Sequence, residues 1–265
     1  MRSLCAFACC ALAPIAARAG AWSEDADHWL VINQFDYYQA DVQGYNQQGR
    51  PAGHGTYKQF EFSPYIEYGV TPDLTIGSQP RLQYVNLQDG APGGGSNNGV
   101  VQVNLFARYS IYKWDFDVLS FQAQFDIPGA ANHPQPQVAL TNLESEARLL
   151  YGHSFDMLPW SWTAFFDGEL AFRYIAGAQA SQTRWDMTLG VRPQPDWLVL
   201  FQTFFTFGLH NQRGTGADYD LYRLQLSVVK QITDNISLQI GGWHDAGGRN
   251  IALGNAIIAA IWFRF

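Results

Sequence analysis

Lysine is nearly missing from this chain of 265 residues: Lys58, Lys113 and Lys230 are the only three, beside thirteen arginines. Charge of either sign is scarce, at 15% of residues against an average near 25%. No run of 18 apolar residues occurs, which excludes a bundle of membrane-spanning helices. Cysteine is confined to Cys5, Cys9 and Cys10, so disulfides, thiolate nucleophiles and cysteine metal sites are not expected beyond the first residues. What is abundant is aromatic side chains, also 15%. A chain rich in aromatics and poor in charge is not a disordered one. A formal net charge of −7 would repel phosphates, so a nucleic-acid partner is not expected.

Residues 1–19 read as a cleaved secretory signal. Arg2 supplies the positive start, Leu4 to Ala17 the apolar stretch, and Ala17-Arg18-Ala19 a small-x-small cleavage site. A lipoprotein signal would need an apolar segment before its cysteine, and Cys9 and Cys10 leave almost none. Removing Arg2 and Arg18 leaves 14 basic against 23 acidic residues, a mature charge of −9. The mature barrel would span residues 20–265.

Beyond Trp22, segments alternate apolar and polar with period 2, the mark of strands. Phe60, Phe62, Pro64, Ile66 and Tyr68 alternate with Glu61, Ser63, Tyr65 and Glu67. Phe121, Ala123 and Phe125 alternate with Gln122, Gln124 and Asp126, and Phe166 to Tyr174 behaves likewise. Twelve strands are predicted: 29–42, 57–70, 74–87, 100–111, 116–129, 141–155, 161–176, 184–193, 197–211, 219–232, 236–246 and 253–265. Short turns (71–73, 112–115, 156–160, 194–196, 233–235) alternate with longer loops (43–56, 88–99, 130–140, 177–183, 212–218, 247–252). An even strand number with alternating short and long connections predicts an all-β, transmembrane, antiparallel up-and-down barrel in the outer membrane of a Gram-negative bacterium. Hydrocarbon offers no hydrogen-bond partners, so a spanning sheet must close on itself. A soluble sandwich or enclosed barrel would alternate too; large aromatics at the segment ends and the export signal favour the membrane. Girdle candidates are Tyr68, Tyr109, Trp114, Trp160, Trp162, Trp197 and Phe265 on the short-turn side, and Tyr57, Tyr84, Tyr174, Trp185, Phe207 and Tyr222 on the other. Lipid and lipopolysaccharide are therefore expected partners. The terminal Phe265 resembles the signal read by the barrel-assembly machinery.

If the apolar parity meets lipid, the other parity lines the lumen. It carries the acids Asp36, Glu61, Glu67, Asp126, Glu144, Glu146, Asp167, Glu169 and Asp186, and the bases Arg81, Arg108, Arg148, Arg173, Arg184, Arg192, Arg223 and Arg264. Nine against eight is nearly neutral, and arginine suits bidentate pairing with carboxylates. A four-residue turn at 157–160 would set Asp156 against Ser161, so that Glu144 faces Arg173 and Arg148 faces Glu169. A slip of two would instead place Glu146 against Glu169, and directly opposed like charges are unfavourable. The lumen is read as a polar path for small solutes, without cofactor, metal or energy coupling. A salt-bridged plug in a closed structural barrel is the alternative.

Enzymatic chemistry has little to rest on. His153-Ser154 lies on the lipid-facing parity without a third partner, and the His-x-Ser-Asn pattern of outer-membrane phospholipases is absent. His244-Asp245, with His210, would place a rim site where omptin proteases carry theirs, but the second acidic pair is missing. An outer-rim hydrolase is the remaining alternative, and no catalytic residue is assigned. Gly93-Gly94-Gly95 stands in no strand-to-helix context, so it is not a phosphate loop.

Gly20-Ala21-Trp22, Tyr57-Lys58-Gln59-Phe60-Glu61-Phe62 and Tyr65-Ile66-Glu67-Tyr68-Gly69-Val70-Thr71 resemble a family of proteobacterial outer-membrane proteins, the MetA-pathway-of-phenol-degradation type. The resemblance covers about the first third of the chain and the last strand. It implies a transporter or channel for small organic molecules, and its strand and turn signatures carry over no substrate residue.

Overall fold

The computed structural model describes residues 20–45, 51–88, 95–133, 135–155, 162–214 and 217–265. The signal segment, Trp160, and the turn meant to pair Asp156 with Ser161 lie outside them. Twelve strands run in order: β1 (Trp29–Tyr45), β2 (Pro51–Thr71), β3 (Leu74–Gln88), β4 (Gly95–Lys113), β5 (Asp117–Ala131), β6 (Glu144–Phe155), β7 (Thr163–Ile175), β8 (Gln182–Gln194), β9 (Trp197–Gly208), β10 (Asp220–Gln231), β11 (Ile236–Arg249) and β12 (Gly254–Arg264). Each pairs antiparallel with its sequence neighbours, and β1 pairs with β12, so the sheet closes as an up-and-down barrel. The largest departures from expectation are at the long-loop end. The β1–β2 hairpin continues to Tyr45 and Pro51, which puts His54 in a strand and not in the first outer loop.

The expected parity holds. Leu149, Leu170, Phe172, Phe201, Leu226, Leu238, Ile240 and Ile257 are exposed on the outside, where a bilayer would cover them. Glu61, Asp126, Arg148, Gln122 and Gln225 are buried inside. Aromatics ring both ends: Trp29 packs on Tyr68 at the short-turn end, and Phe207 on Tyr222 at the other, with ring centroids 4.6 Å and 5.6 Å apart. Tyr57 is a correction. It shares the inward parity of Gln59 and Glu61, donates to Gln59 Oε1 at 3.0 Å and packs near Tyr38 inside the barrel.

The β6–β7 register also differs from expectation. Glu146 lies opposite Arg173, Arg148 opposite Ala171, and Phe155 opposite Ala164. The shift is two residues in the direction not weighed from the sequence. It still avoids opposed like charges, because it sets an acid against a base and leaves Arg148 facing a small residue.

The barrel is not hollow throughout. Residues 20–26 enter from the short-turn end. Trp22 packs edge-on to Phe165 at 5.9 Å and joins Leu30, Ile32, Val118, Leu150, Leu198, Leu200, Val229 and Trp262 in one apolar cluster. A Cβ on Gly152 would strike the Trp22 ring, so the absence of a side chain there makes room for the indole. The segment is fixed by polar contacts to the wall: Ser23 Oγ to Ser110 Oγ at 2.6 Å, Glu24 N–H to Thr75 Oγ1 at 2.8 Å, and Ser120 Oγ–H to the Ala21 carbonyl at 2.5 Å.

Candidate functional site: a charged cavity above an apolar plug

Above this plug the lumen opens into a cavity of about 790 Å³. Its lining runs from Tyr219 and Ala252 at the long-loop end down to Tyr65, Leu150 and Gly20. Of the expected lumen residues, Asp36, Glu61, Arg81, Arg108, Arg148, Glu169, Arg173, Arg184, Asp186 and Arg223 reach this cavity. Glu67, Asp126, Glu144, Glu146 and Asp167 are buried in the wall and plug around it. Arg192 does not reach it. It lies at the short-turn mouth beside Trp262 and Arg264.

Four groups of charge line the wall among the described residues, one of them the buried Arg108–Glu67 pair at 2.5 Å. The largest spans β5 to β8. Arg173 reaches Glu144 at 3.0 Å, Glu146 at 2.9 Å and Asp126 at 3.4 Å. Arg148 reaches Glu146 and Asp186, each at 2.7 Å, and also Glu169. Arg184 lies 3.4 Å from both Glu146 and Asp186. Both ion pairs expected from the sequence, Glu144–Arg173 and Arg148–Glu169, therefore form, but as diagonals, because a guanidinium on a long stem spans the offset between non-opposed residues. Three arginines against five carboxylates leave this wall acidic.

A third group is Arg81 with Glu61, a two-point pair with both contacts at 2.8 Å, joined by Gln83. The fourth was missed in the sequence. Asp245 is buried, accepts from Arg223 Nε at 2.7 Å and from Tyr38 O–H at 2.9 Å, while Arg223 stacks over Trp243 at 4.7 Å. The signal for it was present: Asp245 alternates with His244, so only one of them can face inward. His244 faces out and contacts Asn255 at 2.8 Å.

The rim site suggested by His210, His244 and Asp245 therefore does not assemble. His210 Nδ1 lies 2.5 Å from Asp218 Oδ2, and Arg249 donates to the same carboxylate at 3.1 Å. Burial works against ionising Asp218, yet the hydrogen bonds from His210 and Arg249 hold its carboxyl below the ordinary value. Arg249 also pairs with Asp220 at 3.0 Å, which makes this cluster a clasp between the loop after β9 and the end of β11.

No family model matches the sequence, and no curated protein matches it. Among solved structures, the chain is similar to the COG4313 outer membrane channel from Pseudomonas putida F1, with a TM-score of 0.69 and 14% identity over 92% of this chain and 98% of that one. It is similar to the translocator domain of autotransporter NalP from Neisseria meningitidis (TM-score 0.54, 9% identity, 91% and 90% covered). The transport unit of the autotransporter AIDA-I from Escherichia coli gives a TM-score of 0.52 at 11% identity, with 90% of each chain covered. The fold is that of a bacterial outer-membrane barrel. The exposed aliphatic belt and the two aromatic rings place the barrel wall in that membrane with no further device.

Proposed function

We propose that the barrel is a passive channel for small solutes, entered from the long-loop end and gated at the other by the segment around Trp22. The observation that carries this reading is the cavity itself. It is polar-lined and, among the described residues, extends from Tyr219 and Ala252 at the long-loop end down to Gly20 at the plug, and a barrel serving only as a scaffold has no use for it. Paired arginines and carboxylates, with Gln79, Gln102, Gln122 and Gln124 between them, offer a solute hydrogen bonds without one dominant charge. Tyr38, Tyr65, Phe106 and Trp243 give the same cavity apolar faces, which suits a small organic molecule with a polar group. The resemblance to the phenol-degradation type implies that solute class, and the likeness to the outer membrane channel from Pseudomonas putida supports a channel of some kind. No reaction is assigned to the cavity. Contact with lipopolysaccharide on the outer belt and recognition of Phe265 by the assembly machinery belong to the same proposal.

Planar-bilayer recording tests it. The wild type should show brief, small openings, and a chain lacking residues 20–26 should show long, larger ones. Silence from both chains at every voltage would sink the channel reading.

A further inference from the structure

Asp167 is a buried carboxylate with an unusual environment. It is 1% exposed and, among the described residues, has no arginine or lysine in salt-bridge contact. Its cross-strand neighbours are Gly152 on β6 and Thr188 on β8, neither of them charged. The charged groups facing it are Glu169, two residues along its own strand, and Arg108 from β4. Arg108 is engaged with Glu67 at 2.5 Å, and Glu169 is held by Arg148. Asp167 shares a side-chain hydrogen bond with Glu169, and the start of the plug touches it as well. The Ala21 N–H donates to its Oδ2 at 2.6 Å. Gly20 is packed so closely that a Cβ on it would collide with the carboxylate.

Gly20 is also the residue that follows the expected cleavage site. While Ala19 is attached, the Gly20 nitrogen is a neutral amide. Hydrolysis of that bond by a signal-peptide protease adds one water: Ala19 leaves with the carboxylate, and Gly20 keeps the nitrogen as an ammonium. We propose that this new α-ammonium is the counter-ion of Asp167, so that removal of the signal locks the plug into the floor of the cavity. A buried carboxylate needs a partner charge or a proton. Processing would deliver a cation to the one end of the chain already resting on it. Gly20 lines the cavity floor, so the ammonium would sit where the polar cavity meets the apolar plug. The inference rests on cleavage after Ala19 and on the position of the plug, not on the barrel conducting.

The test uses the mature protein purified from outer membranes. Mass spectrometry should give a chain starting at Gly20; any other start, or a retained signal, would overturn the proposal. The α-amine is then modified by reductive methylation across a pH series. An unpaired α-amine titrates at about 7.7–8.0. Pairing with Asp167 should move the midpoint up by about one unit or more, so that labelling at pH 7 is about tenfold slower than in Asp167→Asn, whose midpoint should fall back toward the ordinary value. Burial without pairing slows labelling and lowers the midpoint, and does so alike in the wild type and in Asp167→Asn. A wild-type midpoint no higher than that of Asp167→Asn would mean that Asp167 is neutralised by a proton shared with Glu169, and would refute the ammonium lock. Should Asp167→Asn not assemble, insertion of one alanine between Ala19 and Gly20 serves instead. It displaces the amine by up to about 3.5 Å and should restore the ordinary midpoint. Conductance is read separately, so a silent barrel with a shifted amine would remove the channel reading and leave the lock standing.

Discussion

Arg173 serves three carboxylates, Asp126, Glu144 and Glu146, from one guanidinium. Truncation to alanine would leave Asp126 and Glu144 without an arginine in salt-bridge contact, while Glu146 keeps Arg148 and Arg184, in a wall that already carries more acid than base. Removing one partner from a buried ion network costs about 3–5 kcal/mol; with a polar cavity alongside, the lower end applies. Arg173→Ala should therefore unfold at lower denaturant, by roughly 3 kcal/mol, and in a bilayer its reversal potential should move toward cation preference. An unchanged reversal potential would show that this network lies off the path of ions. At this scale, parity made most of the lumen legible in the sequence, since most inward charges on the strands followed from alternation. Two residues escaped. Asp245 was read with its neighbour His244 as a pair, although adjacent strand residues point apart. Trp22 precedes the first strand, where alternation says nothing.

Strand existence and order could be read from hydropathy, because lipid on one side and polar cavity on the other impose period 2 along the whole wall. Register could not. It depends on turn geometry and on how far side chains reach, and arginine is long enough to make the same ion pairs from two registers. The observed β6–β7 pairing sets Ser145 against Tyr174. The rejected one would set Ser145 against Phe172. With no cysteine in residues 20–265, engineered pairs decide between them. Residues directly opposed lie about 4.5–5.5 Å apart at Cα, within disulfide range, whereas diagonal ones lie about 7–8 Å apart. Ser145→Cys with Tyr174→Cys should cross-link on mild oxidation. Ser145→Cys with Phe172→Cys should remain reduced, and the reverse outcome would contradict the register.

Over the whole molecule, the sorting of side chains accounts for the scarcity of charge and the wealth of aromatics together. Apolar side chains face lipid and charged ones face inward or cluster at the rims, so the average conceals two opposite surfaces. The outer belt sets a depth rule. Ile240, strongly exposed and paired with Val228 and Ala259 near mid-wall, should tolerate arginine poorly, at a cost of about 2–4 kcal/mol. Tyr174, near the long-loop end of β7, should accept it at about 0–1 kcal/mol. Folding into lipid vesicles, followed by gel mobility with and without heating, measures both; equal costs would mean that the belt is not where the bilayer sits.

The seam between β1 and β12 carries a consequence of another kind, one of timing. The two strands pair from Leu30 with Arg264 to Ala40 with Gly254, and the Trp29 N–H donates to the Phe265 carbonyl at 2.7 Å. The last residues of the chain are thus the ones that shut the ring. The plug is held by Thr75, Ser110, Ser120, Phe165 and Asp167, all on strands made earlier, from β3 to β7. An open, curved sheet of those strands already holds these anchors, and β12 adds the Glu24–Arg264 ion pair at 3.9 Å when it arrives. The segment can settle into the trough before β12 arrives, and the wall then closes around it. Nothing has to be threaded through a finished ring.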